Sequence, residues 1–228
     1  MDRQSKTEIS GIQTTIDTYL FDLDGTLINS LKDISVAVNY TLEKLGLTPL
    51  PEKEIIKHVG YGGKKLLQGV LSTQDEDLLD KAVKIFREYY FANPAEYTTL
   101  YPYTEELLRK LKEENKKIAV VTNKYEDISR QILEKLGVMS LIDIVIGGDT
   151  TEYKKPQPEP VLYAISILGS SPEKSIMIGD SETDIISGKQ AGTKTALVLY
   201  GFGKKDIALS HNPDFVVKTP EELFRLFS

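Results

Sequence analysis

The chain contains no cysteine, so disulfides and thiol chemistry play no part in it, and the absence fits a reducing cytoplasm. It also lacks an apolar run long enough to cross a bilayer, and the polar stretch Met1 to Thr15 has no hydrophobic segment of the kind a secretory signal needs. Positive charge is not in excess. Lys+Arg number 28 against 34 Asp+Glu, and a net charge of -6 gives no general attraction for nucleic acid or an anionic membrane. An anionic ligand would therefore need local help. Internal repeats and low-complexity segments are also missing. These absences predict a cytoplasmic protein with a frayed leader over residues 1–15.

What is present is ordinary globular composition, 40% hydrophobic and 27% charged over 228 residues, enough for one large domain or two modest ones. Short β-rich apolar runs alternate with longer helical patterns, the signature of a parallel sheet covered on both faces. The runs predict strands at Thr18 to Leu23, Lys117 to Thr122, Ile142 to Gly147, Ser175 to Gly179, Thr195 to Leu199 and Phe215 to Val217. Helical spacing covers Glu105 to Asn115, Glu126 to Leu136 and Pro158 to Leu168, the last two closed by Gly137 and Gly169. About ninety residues separate the first two strands, where a crossover needs only a dozen or more. That excess reads as an insertion of four helices, Ser30 to Leu45, Glu52 to His58, Gly63 to Leu71 and Gln74 to Phe91, overhanging the end of the first strand. The expected organisation is an α/β core of residues 1–29 and 97–228, Rossmann-like with helices on both faces, and an α-helical cap of residues 30–96.

Polar clusters fall where predicted strands end, which is where open α/β sheets bind ligands. Asp22 and Asp24 flank Leu23 at the end of the first strand, and Gly25 then lets the chain turn away. Two carboxylates so close repel one another and need a cation nearby. Alone, they read more readily as a solvated acidic turn after a strand. Thr122 and Asn123 follow the second strand and suit either a phosphate oxygen or a helix cap. Lys155 precedes a proline-rich stretch that can hold it in one direction, whereas Lys154 reads as an exposed loop residue. Asp180 ends the fourth strand, with Asp184 one helical turn onward, and oxygen ligands from separate strand ends suit Mg²⁺. In the helical insertion, the glycines of Gly60-Tyr61-Gly62-Gly63 permit close backbone approach, and Lys64 or Lys65 is a candidate for a substrate carboxylate. His58, His211 and the Tyr89-Tyr90-Phe91 cluster carry no assigned chemistry, the cluster reading as packing.

In this order, Asp22-x-Asp24-Gly25-Thr26, Thr122-Asn123, Lys155 before proline and Gly179-Asp180-Ser181-x-x-Asp184 resemble the motifs of the haloacid dehalogenase superfamily, specifically its phosphoglycolate phosphatase-like group with an α-helical cap. The resemblance runs from about Thr18 to the C-terminus. It implies a phosphatase, a phosphoric monoester hydrolase acting on a small phosphorylated metabolite through an aspartyl-phosphate. Asp22 would be the nucleophile and Asp24 the acid and base. Mg²⁺ would be held by Asp22, the Asp24 carbonyl and Asp180, with Asp184 acting from behind them. Thr122, Lys155 and amides near Gly25, Thr26 and Asn123 would hold the transferring oxygens. The likeness favours 2-phosphoglycolate and leaves a pyrophosphatase or nucleotidase as alternatives. A phosphomutase, which would show a histidine shortly after the first motif, or a non-catalytic regulatory protein fits less well. Neither a monomer nor a homodimer is favoured.

Overall fold

The structure, a computed structural model, describes residues 16–227. The expected frayed leader over residues 1–15 lies outside the described residues. Six parallel strands form one sheet in the order β5-β4-β1-β6-β7-β8: β1 (Thr18–Phe21), β4 (Lys117–Val121), β5 (Ile144–Ile146), β6 (Ser175–Gly179), β7 (Lys194–Val198) and β8 (Phe215–Val217). The α/β architecture is the one the sequence predicts. Phe21 of β1 pairs with Val120 on one side and Ile178 on the other, so Asp22, Thr122 and Asp180 emerge from three adjacent strand ends at nearly one level. Side chains alternate across this sheet. Tyr19 and Phe21 point into one apolar layer, and Leu20 points into the other with Ala119, Val121 and Met177. All four residues of β1 are buried, as expected of a strand with sheet on both sides and helices on both faces.

The long insertion folds as α1 (Leu31–Lys44), α2 (Glu52–Ile55), α3 (Gly63–Leu71) and α4 (Glu76–Ala92). Helix α1 packs on α4, which also receives α3, with Ala37, Leu67, Leu79 and Ala82 sealed between them. Two boundaries differ from expectation. The helix predicted over Glu52 to His58 divides after Ile55 into a 3₁₀ turn, Ile56–His58, because the chain tightens there before extending at Val59. The last of the four begins at Glu76, not Gln74, because Asp75 caps it by accepting the Leu78 N–H. Two short strands escaped the pattern altogether. β2 (Ile28–Asn29) enters the insertion and β3 (Thr99–Leu100) leaves it, and they pair antiparallel. Beside them the buried Asp33 carboxylate accepts the Tyr97 and Thr98 N–H groups and the Thr98 hydroxyl.

The remaining helices are α5 (Thr104–Glu113), α6 (Glu126–Lys135), α7 (Glu159–Ile167), α8 (Glu182–Gln190), α9 (Lys205–Ser210) and α10 (Pro220–Phe227). Gly137 and Gly169 follow α6 and α7 with positive φ, as the predicted C-terminal glycines require. Among the described residues no helix is long and apolar enough to cross a membrane.

Candidate active site

Asp22 stays in the sheet by its backbone, donating its N–H to Ile178 O at 2.8 Å, and its carboxylate leaves the strand end with only 11% of the side chain exposed. Lys155 Nζ donates to Asp22 Oδ1 at 2.9 Å and to Asp184 Oδ1 at 2.6 Å. Its own loop is fixed from the other side, because Asn123 Nδ2 donates to the Lys155 carbonyl at 2.9 Å. The Lys155-Pro156 peptide bond is cis. Asp184 is held in turn by the Ser181 N–H and hydroxyl at the start of α8, a capping box that aims its remaining oxygen at Lys155. Asp180 receives the amides of Phe202 at 2.6 Å and Gly203 at 3.0 Å on Oδ2.

Oxygens of Asp22, Asp180 and Asp184 lie within 4.8 Å of one another, and all three residues are buried. Within that triad Lys155 supplies one positive charge against three carboxylates. Burial, and then the neighbouring carboxylates, push Asp180 well above the usual carboxylate range. Burial likewise raises Asp22 to about 6 even though Lys155 pulls it down. Hard oxygen donors with more negative than positive charge fit a divalent cation, and the Asp22, Asp180 and Asp184 cluster could hold one. A checkable consequence concerns pH. Because the folded Asp22 carboxyl titrates at about 6, against 3.8 when free, the metal-free fold gains from protonation below pH 4 and loses that gain as pH rises to 6. A cation reverses the penalty, so Mg²⁺ raises the thermal midpoint more at pH 7.5 than at pH 5. Equal increments at both pH values would exclude this coupling.

Asp24 faces the same cavity from a separate ion pair. Lys124 Nζ lies 2.9 Å from Asp24 Oδ2 and 3.0 Å from Oδ1, and the Ser30 hydroxyl donates to Oδ1. Lys124 is almost wholly buried and stands 4.4 Å from the centre of the Tyr90 ring, which descends from α4. The site therefore contains a lysine that sequence reasoning missed. Its signal was present, as the first charged residue after Thr122-Asn123 at a strand end. Tyr90, read from the sequence as packing, lines the cavity with Leu66 and Phe86 of the insertion.

Other predicted site residues settle unevenly. Thr122 caps no helix, because α6 starts at Glu126; its Oγ1 accepts the Lys124 N–H, which leaves its O–H to donate. Asn123 bridges the two layers, donating to Gly60 O at 2.9 Å as well as to Lys155 O. Gly62 makes this approach possible: its φ is +86° and a β-carbon there would press on the Asn123 carbonyl. Gly25 N–H donates to Ile28 O and Thr26 N–H to Leu23 O, so both are spent on the turn and not offered to a ligand. Gly25 serves the site in a different way, since a β-carbon at its φ of +86° would collide with the Asp180 carboxylate. Lys64 is not brought to the cavity. It lies on the exposed face of α3, paired with Glu76 at 2.8 Å and Asp80 at 3.1 Å, where two acids of α4 outcompete any distant ligand. Lys65 likewise points to Gln68.

A buried carboxylate cluster and a lysine beside three adjacent strand ends, roofed by inserted helices, fit a hydrolase of the phosphoryl-transfer type. The family pattern of haloacid dehalogenase-like hydrolases matches residues 19–198, and the chain belongs to that family, in its phosphoglycolate phosphatase-like group. It is 44% identical over 207 residues to the phosphoglycolate phosphatase of Aquifex aeolicus, covering 91% of this chain and 94% of that one. It is 33% identical to the pyrophosphatase PpaX of Bacillus pumilus, covering 94% of this chain and 97% of the relative. Its fold superposes on the crystal structure of a predicted phosphoglycolate phosphatase from Haemophilus somnus with a TM-score of 0.87 at 28% identity, covering 94% and 99% of the two chains.

Proposed function

We propose that the protein is a cytoplasmic Mg²⁺-dependent phosphatase that hydrolyses a small phosphorylated acid, 2-phosphoglycolate foremost, through a phosphoryl group carried on Asp22. The observation that supports this reading is that Asp22, bonded to Lys155, lies in one buried carboxylate cluster with Asp180 and Asp184 while Asp24 faces the same cavity. An Asp22 oxygen attacks phosphorus in line, forming the acyl phosphate as the ester P–O bond breaks. Asp24, two residues on, gives the departing oxygen a proton taken up from solvent and later takes one from the water that releases phosphate and restores Asp22. Lys155 and the Thr122 hydroxyl hold the transferring oxygens. Mg²⁺, bound by Asp22, Asp180 and the Asp24 carbonyl, would neutralise charge on the phosphoryl group. The helices of residues 30–96 act as the lid that keeps bulk water from the first step.

A second reading, hydrolysis of pyrophosphate, is favoured by the likeness to the Bacillus pumilus enzyme along nearly the whole chain. The two are separated by steady-state kinetics at fixed Mg²⁺ with phosphoglycolate, pyrophosphate, nucleoside monophosphates and p-nitrophenyl phosphate. The expected order puts phosphoglycolate at least about tenfold above pyrophosphate in kcat/KM, a margin of only ~1.4 kcal/mol. The reverse order would transfer the assignment to pyrophosphate, and an absence of metal-dependent turnover on every ester would defeat both readings.

A further inference from the structure

The Asp24 carboxylate, which the phosphatase reading needs at the leaving oxygen, already has both oxygens engaged by Lys124 and one also by Ser30. Lys124 is equally constrained. It is nearly solvent-free, closed in by Asp24 below and the Tyr90 ring above, in a cavity whose other walls include Ile34, Leu66 and Phe86. A buried ammonium held by one carboxylate will not give it up to water, because an unpaired charge there is strongly unfavourable. Only another anion can take its place without that penalty. In phosphoglycolate a single carbon separates the ester oxygen from the carboxylate. A group that reaches the first and a cation that reaches the second must therefore be neighbours, as Asp24 and Lys124 are.

We propose that Lys124 is the specificity-determining residue for the leaving group: it takes a carboxylate carried one carbon from the ester oxygen and in the same movement releases Asp24 toward that oxygen. The inference rests on the phosphatase reading above and adds to it the chemical class of the leaving group. Substrate recognition and release of the proton carrier then become one exchange of ion-pair partners. Neutral leaving groups bind through their phosphate yet leave Asp24 clamped, so they are penalised in kcat more than in KM. Tyr90 ties the exchange to the lid, since the face of its ring covers the ammonium that has to move.

The test compares phosphoglycolate with 2-hydroxyethyl phosphate, which has a similar length and no carboxylate, in the full-length protein with Mg²⁺. Wild type favours phosphoglycolate, chiefly in kcat. In Lys124→Met and in Lys124→Gln, which can still donate to Asp24 but has no charge, the kcat/KM ratio between the two esters falls about 10- to 100-fold, the scale of one charged hydrogen bond. Lys124→Arg retains part of the preference. Thermal melting of each variant identifies any that is unfolded, and Lys124→Gln supplies the answer if Lys124→Met is. A ratio unchanged in the folded variants, or equal losses on both esters, overturns the role of Lys124 and leaves the phosphatase reading standing. A wild type that shows no preference overturns the substrate assignment and this inference together.

Discussion

Asp22→Asn lowers kcat on p-nitrophenyl phosphate with Mg²⁺ by about 10⁴-fold or more, the scale seen when a nucleophile is removed. The amide cannot form the acyl phosphate, and Asp184, the other carboxylate on Lys155, is engaged by that lysine on one oxygen and by the Ser181 N–H and hydroxyl on the other. The fold survives the change. Asp22 is a buried acid raised to about 6 by burial, so removing its charge relieves repulsion from Asp180 and Asp184, while Lys155 keeps Asp184 at 2.6 Å. The thermal midpoint of the metal-free variant should equal or exceed that of wild type. Phosphate release and melting on one preparation check both halves, and turnover near the wild-type rate in a folded variant would assign the attack to another group.

Lys155→Met has the largest expected effect on stability. It leaves Asp22 and Asp184 facing each other without the ammonium that bridges them at 2.9 and 2.6 Å. Breaking a buried pair from one side costs about 3–5 kcal/mol. For a chain of this size that is a fall of roughly 10 °C in thermal midpoint. Adding Asp184→Asn to Lys155→Met should recover a good part of the loss, since it removes an acid that has lost its partner. Melting curves without metal give the answer, and a fall of under about 3 °C in the single variant would mean that Lys155 is not what neutralises the triad. Activity falls with the stability, because the same ammonium faces the phosphoryl site.

Elements with a strong periodic signal were legible in the sequence. The strands Ser175–Gly179 and Phe215–Val217 and the helix Gly63–Leu71 have the bounds that their patterns predict. Strand ends moved by a residue or two, as at Phe21, after which Asp22 keeps its N–H bond to Ile178 O while its side chain enters the site. The two-residue strands β2 and β3 could not be read, because no period exists over two residues. The sequence pattern gives no range for α8, α9 or α10, the last two being short and close to the end of the sheet. Asp22, Thr122 and Asp180 come together at adjacent strand ends because the strand pattern fixes where each strand stops, whereas Lys155 and Asp184 reach Asp22 from a loop and a helix. Lys64 and Lys124 show the limit of that reasoning. Both are lysines next to a glycine-rich or polar turn, and only the packing of α3 against α4 sends one outward to Glu76, while the fold of the strand end sends the other inward to Asp24. The amides of Phe202 and Gly203 on Asp180 were likewise invisible, because they come from a loop 22 and 23 residues downstream whose backbone, not its side chains, makes the contact.

The paired strands β2 and β3, with Asp33 beside them, bring the two points where the chain leaves and re-enters the core side by side. The chain therefore re-enters the core beside where it left, whatever length lies between. A helical bundle of another size, or one lined with different side chains, could be spliced at Asn29 and Thr99 without disturbing the register of β1 with β4 and β6. In such a chain Asp22, Asp24 and Lys124 would be inherited with the sheet and the walls formed by Leu66, Phe86 and Tyr90 with the splice, so the two sets could diverge at separate rates.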